Sequence, residues 1–247
     1  MEAISSGIWQ AKGARPGLHV MVLGGVHGDE KTGIDVVKRL HSLFAGGGEQ
    51  LAAGTLTLIL GNEEAIRLNK RGTTTEHNLN RMFTKKHLYG PALDFYESRR
   101  AHELAPLLAS ADVSIDIHST SSPSRPFLPC AFSPRHERIY RWFSCDLVLT
   151  DPDYILGGEQ ATTDEYVDSC GGAGIAAGLV ALGADVEVRG EVFWPRAAFA
   201  AFNARRKPGD MRRWTGVGVD TYKPLRPSDA FARLAPVRLA LVSQKSR

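Results

Sequence analysis

The chain has 247 residues, of which 43% are hydrophobic and 23% are charged, and its formal net charge is +3. This balance is typical of a globular protein with a substantial core and excludes a disordered or fibrous class. The charge is unevenly distributed, because residues 1–188 hold 17 Lys and Arg against 23 Asp and Glu, whereas residues 189–247 hold 13 against 4. We therefore expect a main domain over residues 1–188 and a basic C-terminal segment, a reduced or atypical small domain, over residues 189–247.

The sequence also lacks the features of several other classes of protein. No apolar stretch approaches eighteen residues and the first sixteen residues have no leader-like pattern, so we expect neither secretion nor membrane insertion. The three cysteines are widely spaced without a C-x-x-C pair, which favours reduced thiols in a cytoplasmic protein. The basic segment has no tight run of like charges, so we expect no nucleic-acid partner.

The first half of the chain predicts strand, helix, strand. A short apolar run at residues 19–23 predicts a buried strand. From Thr32 to Phe44, apolar residues recur three to four positions apart, which predicts an amphipathic helix. A second apolar run at residues 56–60 predicts another strand, and a short helix follows at residues 63–68.

The following part of the chain continues the alternation. Its predicted elements are a polar loop, a longer helix and a strand, at residues 69–78, 91–110 and 113–117. Further strands are expected at residues 147–149 and within residues 175–188. Strands that alternate with helices predict an α/β fold, a three-layer α/β/α sandwich with a mostly parallel central sheet.

Two histidines and a glutamate follow predicted strands. His27 and Glu30 form an H-x-x-E pair after the first strand, and His118 directly follows the strand predicted at residues 113–117. Open α/β sheets bind ligands at the carboxyl ends of their strands, and a catalytic zinc ion takes three imidazole or carboxylate ligands beside a water. Asp116 lies on the same face as His118 and can hold the second ring nitrogen of a ligand. From spacing alone, a chance pair with hydrogen-bonded histidines is an equally good interpretation.

Four segments together resemble the succinylglutamate desuccinylase and aspartoacylase family, which is similar to the zinc carboxypeptidases. They are Gly25–Glu30 with Thr32-Gly33, Gly61-Asn62, Asn78–Phe83 and Asp116–Thr120. Their order and approximate intervals match over residues 18 to about 175. The resemblance implies a zinc carboxypeptidase-like fold and one Zn²⁺ ion per chain. It implies that His27, Glu30 and His118 bind this ion and that Asn80 and Arg81 contact the substrate.

Two arginines are candidates for substrate binding. The planar guanidinium of Arg81 suits the carboxylate of an N-acyl amino acid, and the alternative is a surface salt bridge. Arg71 is similar in position to a second substrate-contacting arginine of the family, and the alternative is a solvated loop charge. Arg81 is also placed in the catalytic set, because it would anchor the substrate during the reaction.

The sequence departs from the family pattern at the expected general base. The family bears a catalytic glutamate in the strand that follows Gly171–Ile175, where this chain reads Ala176-Ala177-Gly178-Leu179-Val180. Glu187, the nearest later acid in a predicted strand, is our candidate, with an exposed strand-end carboxylate as the alternative. Weaker candidates are Glu191 and Glu165. The first residue of the Asn78–Phe83 segment is also usually aspartate, so a charge beside the metal is expected to be absent.

The resemblance implies a zinc-dependent amidohydrolase that removes the acyl group from an N-acyl amino acid by attack of a zinc-bound water. The expected partner is this small-molecule substrate, and a homo-oligomer is left open. A carboxypeptidase-like peptide hydrolase and a catalytically silent zinc-binding protein are the alternatives.

Overall fold

A computed structural model of the chain describes residues 1–119, 127–131, 133–140, 143, 148–150 and 160–179. Thr120, Glu187, Glu191 and the basic segment 189–247 lie outside the described residues. The strands are β1 (Glu2–Ser5), β2 (Ile8–Lys12), β3 (Arg15–Gly24), β4 (Ala53–Leu60), β5 (Val113–Ser119), β6 (Leu128–Pro129), β7 (Val148–Leu149) and β8 (Ala173–Leu179). The helices are α1 (Lys31–Ala45), α2 (Glu63–Leu68), α3 (Lys85–Leu88), α4 (Tyr96–Ala109), α5 (Pro134–Tyr140) and α6 (Thr163–Ser169), with a 3₁₀ turn at Leu79–Arg81.

The central sheet has six strands in the order β1-β2-β4-β3-β5-β8. The strands β4, β3, β5 and β8 are parallel, and the β1–β2 hairpin continues the sheet in antiparallel orientation at one edge. The prediction of a mostly parallel sheet is therefore confirmed. The hairpin was not predicted, because its strands are short and its first strand is exposed along its whole length.

Helices cover both faces of this sheet. Val22 on β3 packs with the apolar side of α1, whereas its neighbours Met21 and Leu23 point to the other face and pack with Leu104 of α4. Helix α6 contacts β5 and β8 on the same side as α4. The three-layer α/β/α prediction is thus confirmed, since successive strand residues point to opposite faces and both sets are apolar.

Close packing of α1 places its first turn at the carboxyl edge of the sheet. A Cβ atom on Gly24 would overlap the carbonyl oxygen of Gly33, and one on Gly33 would overlap the carbonyl oxygen of Ile117. Glycines at these two positions therefore let the helix approach β3 and β5 at backbone distance. Glu30, which immediately precedes α1, is brought to the ends of both strands.

Two predicted elements differ from the structure. The helix predicted over residues 91–110 begins only at Tyr96, since Phe95 is extended and the backbone amide of Leu93 is bound by the Ser98 hydroxyl at 2.9 Å. The strand predicted at residues 147–149 does not join the central sheet, because Val148–Leu149 pairs with β6 in a separate two-stranded sheet. Within the described residues, no helix is both long enough and apolar enough to span a bilayer.

Candidate metal centre

The three predicted ligands meet at the carboxyl ends of β3 and β5. His27 lies in the turn that follows β3, Glu30 precedes α1, and His118 is near the end of β5. Because β3 and β5 are neighbouring parallel strands, their ends lie side by side. One donor atom from each residue can be chosen so that all three lie within 4.8 Å of one another, and the two imidazole ring centres are 5.0 Å apart.

Glu30 is the shared contact of this cluster. Its Oε1 atom lies 2.8 Å from His27 Nδ1, and its Oε2 atom lies 3.0 Å from His118 Nδ1. Oε2 also accepts a hydrogen bond of 2.9 Å from the backbone amide of Ser119, and Oε1 accepts one of 3.1 Å from Arg71. Burial would raise the pKa of this carboxyl, but the two histidines outweigh burial and hold the pKa well below its usual range. Glu30 is therefore an anion, as a metal ligand must be.

Each histidine directs its Nδ1 atom to Glu30 and its Nε2 atom to a different supporting residue. His27 Nε2 lies 3.1 Å from the amide oxygen of Asn78, and His118 Nε2 lies 3.0 Å from a carboxylate oxygen of Asp116. The His118–Asp116 contact is a close ion pair without hydrogen-bond geometry, since Nε2 has no hydrogen-bond partner in the described structure. Two imidazole nitrogens and a carboxylate on one side, with supported second nitrogens, form a donor set that fits Zn²⁺.

Two neighbouring carboxylates favour the charged form of the His118 ring. Burial disfavours the imidazolium, but the Asp116 and Glu30 carboxylates outweigh it and raise the pKa of His118 to about 10. Both carboxylates therefore favour the protonated form of this ring. Asp116 is itself fully buried and accepts a hydrogen bond from the Thr163 hydroxyl at 2.5 Å.

The Asn78–Phe83 segment is attached both to the cluster and to α6. Asn78 is the neutral support of His27, and its amide oxygen also accepts a 2.9 Å hydrogen bond from the backbone amide of Asn80. The amide oxygen of Asn80 is occupied by the backbone amide of Thr163 at 3.0 Å, and Asn80 is 7% exposed. Arg81 donates to the carbonyl oxygen of Asn80 at 2.6 Å. Asn80 therefore holds Arg81 and α6 in a fixed relation.

Arg71 approaches the cluster from the polar loop. Its guanidinium donates to Glu30, while 57% of its side chain remains exposed. Its carbonyl oxygen accepts a hydrogen bond of 3.4 Å from the backbone amide of Gly28, beside His27. Arg71 is thus a partly exposed cation at the edge of the centre and not an isolated loop charge.

The sequence model of the succinylglutamate desuccinylase/aspartoacylase catalytic domain matches residues 16–174. The chain belongs to this family. The resemblance identified from the four sequence segments is therefore confirmed.

Curated relatives of the family align with part of this chain. A probable aspartoacylase of Nostoc sp. is 38% identical over 108 residues, which cover 42% of this chain and 35% of that protein. A succinylglutamate desuccinylase of Pseudomonas paraeruginosa is 32% identical over 118 residues, which cover 46% of this chain and 35% of that protein. The chain thus matches about a third of the length of these relatives.

Solved structures of the family share the fold. The succinylglutamate desuccinylase of Chromobacterium violaceum superposes with a TM-score of 0.58 at 23% identity, over 95% of this chain and 67% of that chain. Murine aminoacylase 3 superposes with a TM-score of 0.53 at 22% identity, over 77% of this chain and 62% of that chain. These likenesses agree with a zinc carboxypeptidase-like fold.

The described residues differ from the family pattern at the strand expected to carry the general base. Strand β8 pairs with β5 so that Ala176 lies beside Asp116 and Gly178 beside His118. Neither residue has a carboxylate, so the described part of β8 offers no general base next to the cluster. Glu165 is not available either, because its Oε2 atom accepts the backbone amides of Ala161 and Thr162, at 2.8 and 3.0 Å, in the capping box of α6.

Asp164 is a buried acidic residue that sequence reasoning missed, and it directly follows Thr163, which donates to Asp116. It is 8% exposed in the first turn of α6, between Thr163 and Glu165. Burial raises the pKa of Asp164 to about 7, and the nearby carboxylates of Glu165 and Asp116 add to the effect against an opposing hydrogen bond with Thr162. The capping-box pattern of the sequence could have located the start of α6, but no local signal indicates that this carboxyl is buried.

Proposed function

We propose that this protein is a zinc-dependent hydrolase that cleaves the amide bond of an N-acyl amino acid. The observation that carries the proposal is the convergence of two imidazoles on one carboxylate in a member of the succinylglutamate desuccinylase/aspartoacylase family. His27, Glu30 and His118 would hold the ion. When bound, zinc would polarise the amide carbonyl and lower the pKa of a water towards neutrality.

The chain's own residues prepare this site in two ways. Asn78 and Asp116 orient the two imidazoles from the side opposite Glu30, which fixes the nitrogen that faces the ion. The Ser119 backbone amide and Arg71 hold the Glu30 carboxylate in place. The ligands are therefore preorganised by contacts that do not depend on the substrate.

The substrate in this proposal is anchored through its carboxylate. Arg81 keeps one N–H on the carbonyl oxygen of Asn80, and the rest of its planar fork can bind a carboxylate bidentately. Arg71 is exposed enough to reach a second acidic group while its guanidinium stays on Glu30. Asn80 acts by fixing Arg81 and α6, because its own amide oxygen is already bound to Thr163.

The proton transfer from water to the leaving amine needs a further carboxyl group. Glu187, outside the described residues, is the proposed general base. Among the described residues, Asp164 has a pKa near neutrality, which suits a group that both takes and returns a proton. Comparison of Glu187→Gln with Asp164→Asn in the kcat–pH profile distinguishes the two, since only loss of the true base abolishes turnover at every pH.

A catalytically silent zinc-binding protein is the second candidate. The observation that favours it is the pairing of Ala176 and Gly178 with the strand of His118, which leaves the described part of β8 without a carboxylate. A carboxypeptidase-like activity uses the same metal centre and differs only in the substrate.

A substrate panel with metal removal and return tests the proposal. Purified protein is assayed on N-acetyl, N-succinyl and aromatic N-acyl amino acids and on short peptides, before chelation, after chelation and after Zn²⁺ return. We expect hydrolysis of an N-acyl amino acid that chelation abolishes and Zn²⁺ restores, in wild type and in the control His41→Ala. Cleavage of peptides alone would favour the carboxypeptidase-like function. Stoichiometric zinc without turnover on any substrate would favour the silent protein.

A further inference from the structure

A second buried carboxylate lies behind the polar loop. Glu97, in the first turn of α4, has no exposed surface. Its Oε1 atom accepts the Thr73 backbone amide at 2.7 Å and the Asn62 side-chain amide at 3.0 Å, and its Oε2 atom accepts the Thr73 hydroxyl at 2.8 Å. Burial would raise the pKa of Glu97, but these hydrogen bonds outweigh it and lower the pKa. An ionised group at this depth is stable only because all these donors face it.

The loop that Glu97 holds is the one that touches the metal centre. Thr73 lies between Arg71 and Asn78 in the loop of residues 69–78. On the other side of this loop, Arg71 donates to Glu30 and Asn78 supports the Nε2 atom of His27. Glu97 itself makes none of these contacts, so it is connected to the centre only through residues of this loop in the described structure.

Two further residues, Asn62 and His77, connect Glu97 with its surroundings. Asn62 follows β4, caps α2 by accepting the Ala65 backbone amide at 3.0 Å, and donates to Glu97. The His77 ring stacks on Phe95 with ring centres 3.9 Å apart, and its Nδ1 atom lies 3.9 Å from the Glu97 carboxylate. The contacts of Glu97, Asn62 and His77 therefore join the edge of the sheet, the loop and the start of α4.

We propose that Glu97 is a positioning residue for substrate binding, which clamps Thr73 so that Arg71 and Asn78 stay against the metal centre. This inference rests on the proposed function for its kinetic consequence, but the loop geometry that it predicts does not. Without the clamp, Arg71 and Asn78 both lose their fixed positions, whereas the three ligands lie on other elements and both histidines keep their contacts with Glu30. Substrate binding is thus expected to suffer more than the chemical step.

The test compares Glu97→Gln with the matched control Glu103→Gln, an exposed carboxylate on the same helix that pairs with Arg100 at 2.6 Å. Glutamine keeps the shape of Glu97 but turns an amide donor towards the donors of Thr73 or Asn62. We expect KM for an N-acyl amino acid to rise about tenfold or more, since a hydrogen bond to a buried charge is lost, with kcat changed less than about threefold. Tryptic cleavage after Lys70 or Arg71, both exposed, is expected to accelerate by about the same factor. The control is expected to change neither.

Tryptic cleavage of the loop can be measured even if no substrate is found, because the measurement requires no enzymatic activity. Unchanged loop cleavage in Glu97→Gln would overturn the clamp even if the hydrolase proposal holds. Faster cleavage with unchanged KM would overturn the role in substrate binding. If Glu97→Gln does not fold, Thr73→Val removes only the hydroxyl hydrogen bond, and Thr73→Ser is expected to restore both readouts. Equal effects of Thr73→Val and Thr73→Ser would count against the clamp.

Discussion

Asp164 should make the stability of this protein fall as the pH rises. Its carboxyl is 8% exposed, and its pKa is raised from 3.8 to about 7 on folding. Below the lower pKa both the folded and the unfolded chain hold the proton, so there is no penalty. Between the two pKa values only the folded chain holds the proton. The free energy of unfolding therefore falls by about 1.4 kcal/mol for each pH unit until the higher pKa is passed. The full difference is about 4 kcal/mol, most of it above about pH 5.

The substitution Asp164→Asn should remove this dependence, because asparagine is similar in shape and has no charge to bury. Urea unfolding of both proteins at about pH 5 and about pH 8 measures the difference in the free energy of unfolding. We expect the variant to gain about 3 kcal/mol relative to wild type between the two conditions. The control Asp35→Asn, at an exposed position of α1, is expected to gain nothing. Parallel pH curves for wild type and Asp164→Asn would refute the burial of this carboxyl.

Three further predictions concern the contacts around the centre. Asn78→Asp places a negative charge on the Nε2 side of His27, so the zinc affinity measured by chelator competition should rise about tenfold. Weaker zinc binding would contradict the role of residue 78 as the support of His27. Thr163→Val removes the hydroxyl group that donates to Asp116 and should lower the zinc affinity about tenfold, while Thr163→Ser should retain wild-type affinity. Equal zinc affinities in all three proteins would argue against this support. Arg81→Lys keeps the charge but loses the planar fork, so KM should rise about tenfold or more with a smaller change in kcat, and an unchanged KM would exclude Arg81 as the carboxylate anchor.

The convergence of His27, Glu30 and His118 could be predicted from the sequence because it depends on simple topology. Each histidine follows an apolar run that reads as a parallel strand, and the carboxyl ends of parallel strands share one edge of the sheet. The glycines at 24 and 33 then bring α1, and with it Glu30, to the same edge. Local patterns and this rule of α/β sheets indicated the convergence, whereas its interpretation as a metal site came from the resemblance to the family.

The supporting contacts could not be predicted in this way. Thr163 meets Asp116 across 47 positions of the chain, and Glu97 meets Thr73 across 24. Each of these two contacts depends on how a helix packs over the sheet. The sequence spacing of the partners does not indicate that a buried hydrogen bond forms between them. The start of α4 was missed for a different, local reason, because the backbone amide of Leu93 donates to the Ser98 hydroxyl and the chain stays extended at Phe95.

Metal content is the measurement that tests the zinc centre most directly. Protein purified in the presence of Zn²⁺ and freed of loose metal is analysed by plasma mass spectrometry, for wild type, His118→Ala and the control His41→Ala, with circular dichroism to confirm folding. We expect one zinc ion per chain in wild type and control and a loss of bound zinc in folded His118→Ala. Wild-type protein that holds no zinc, or a His118→Ala variant that holds as much as wild type, would contradict the assignment of the centre.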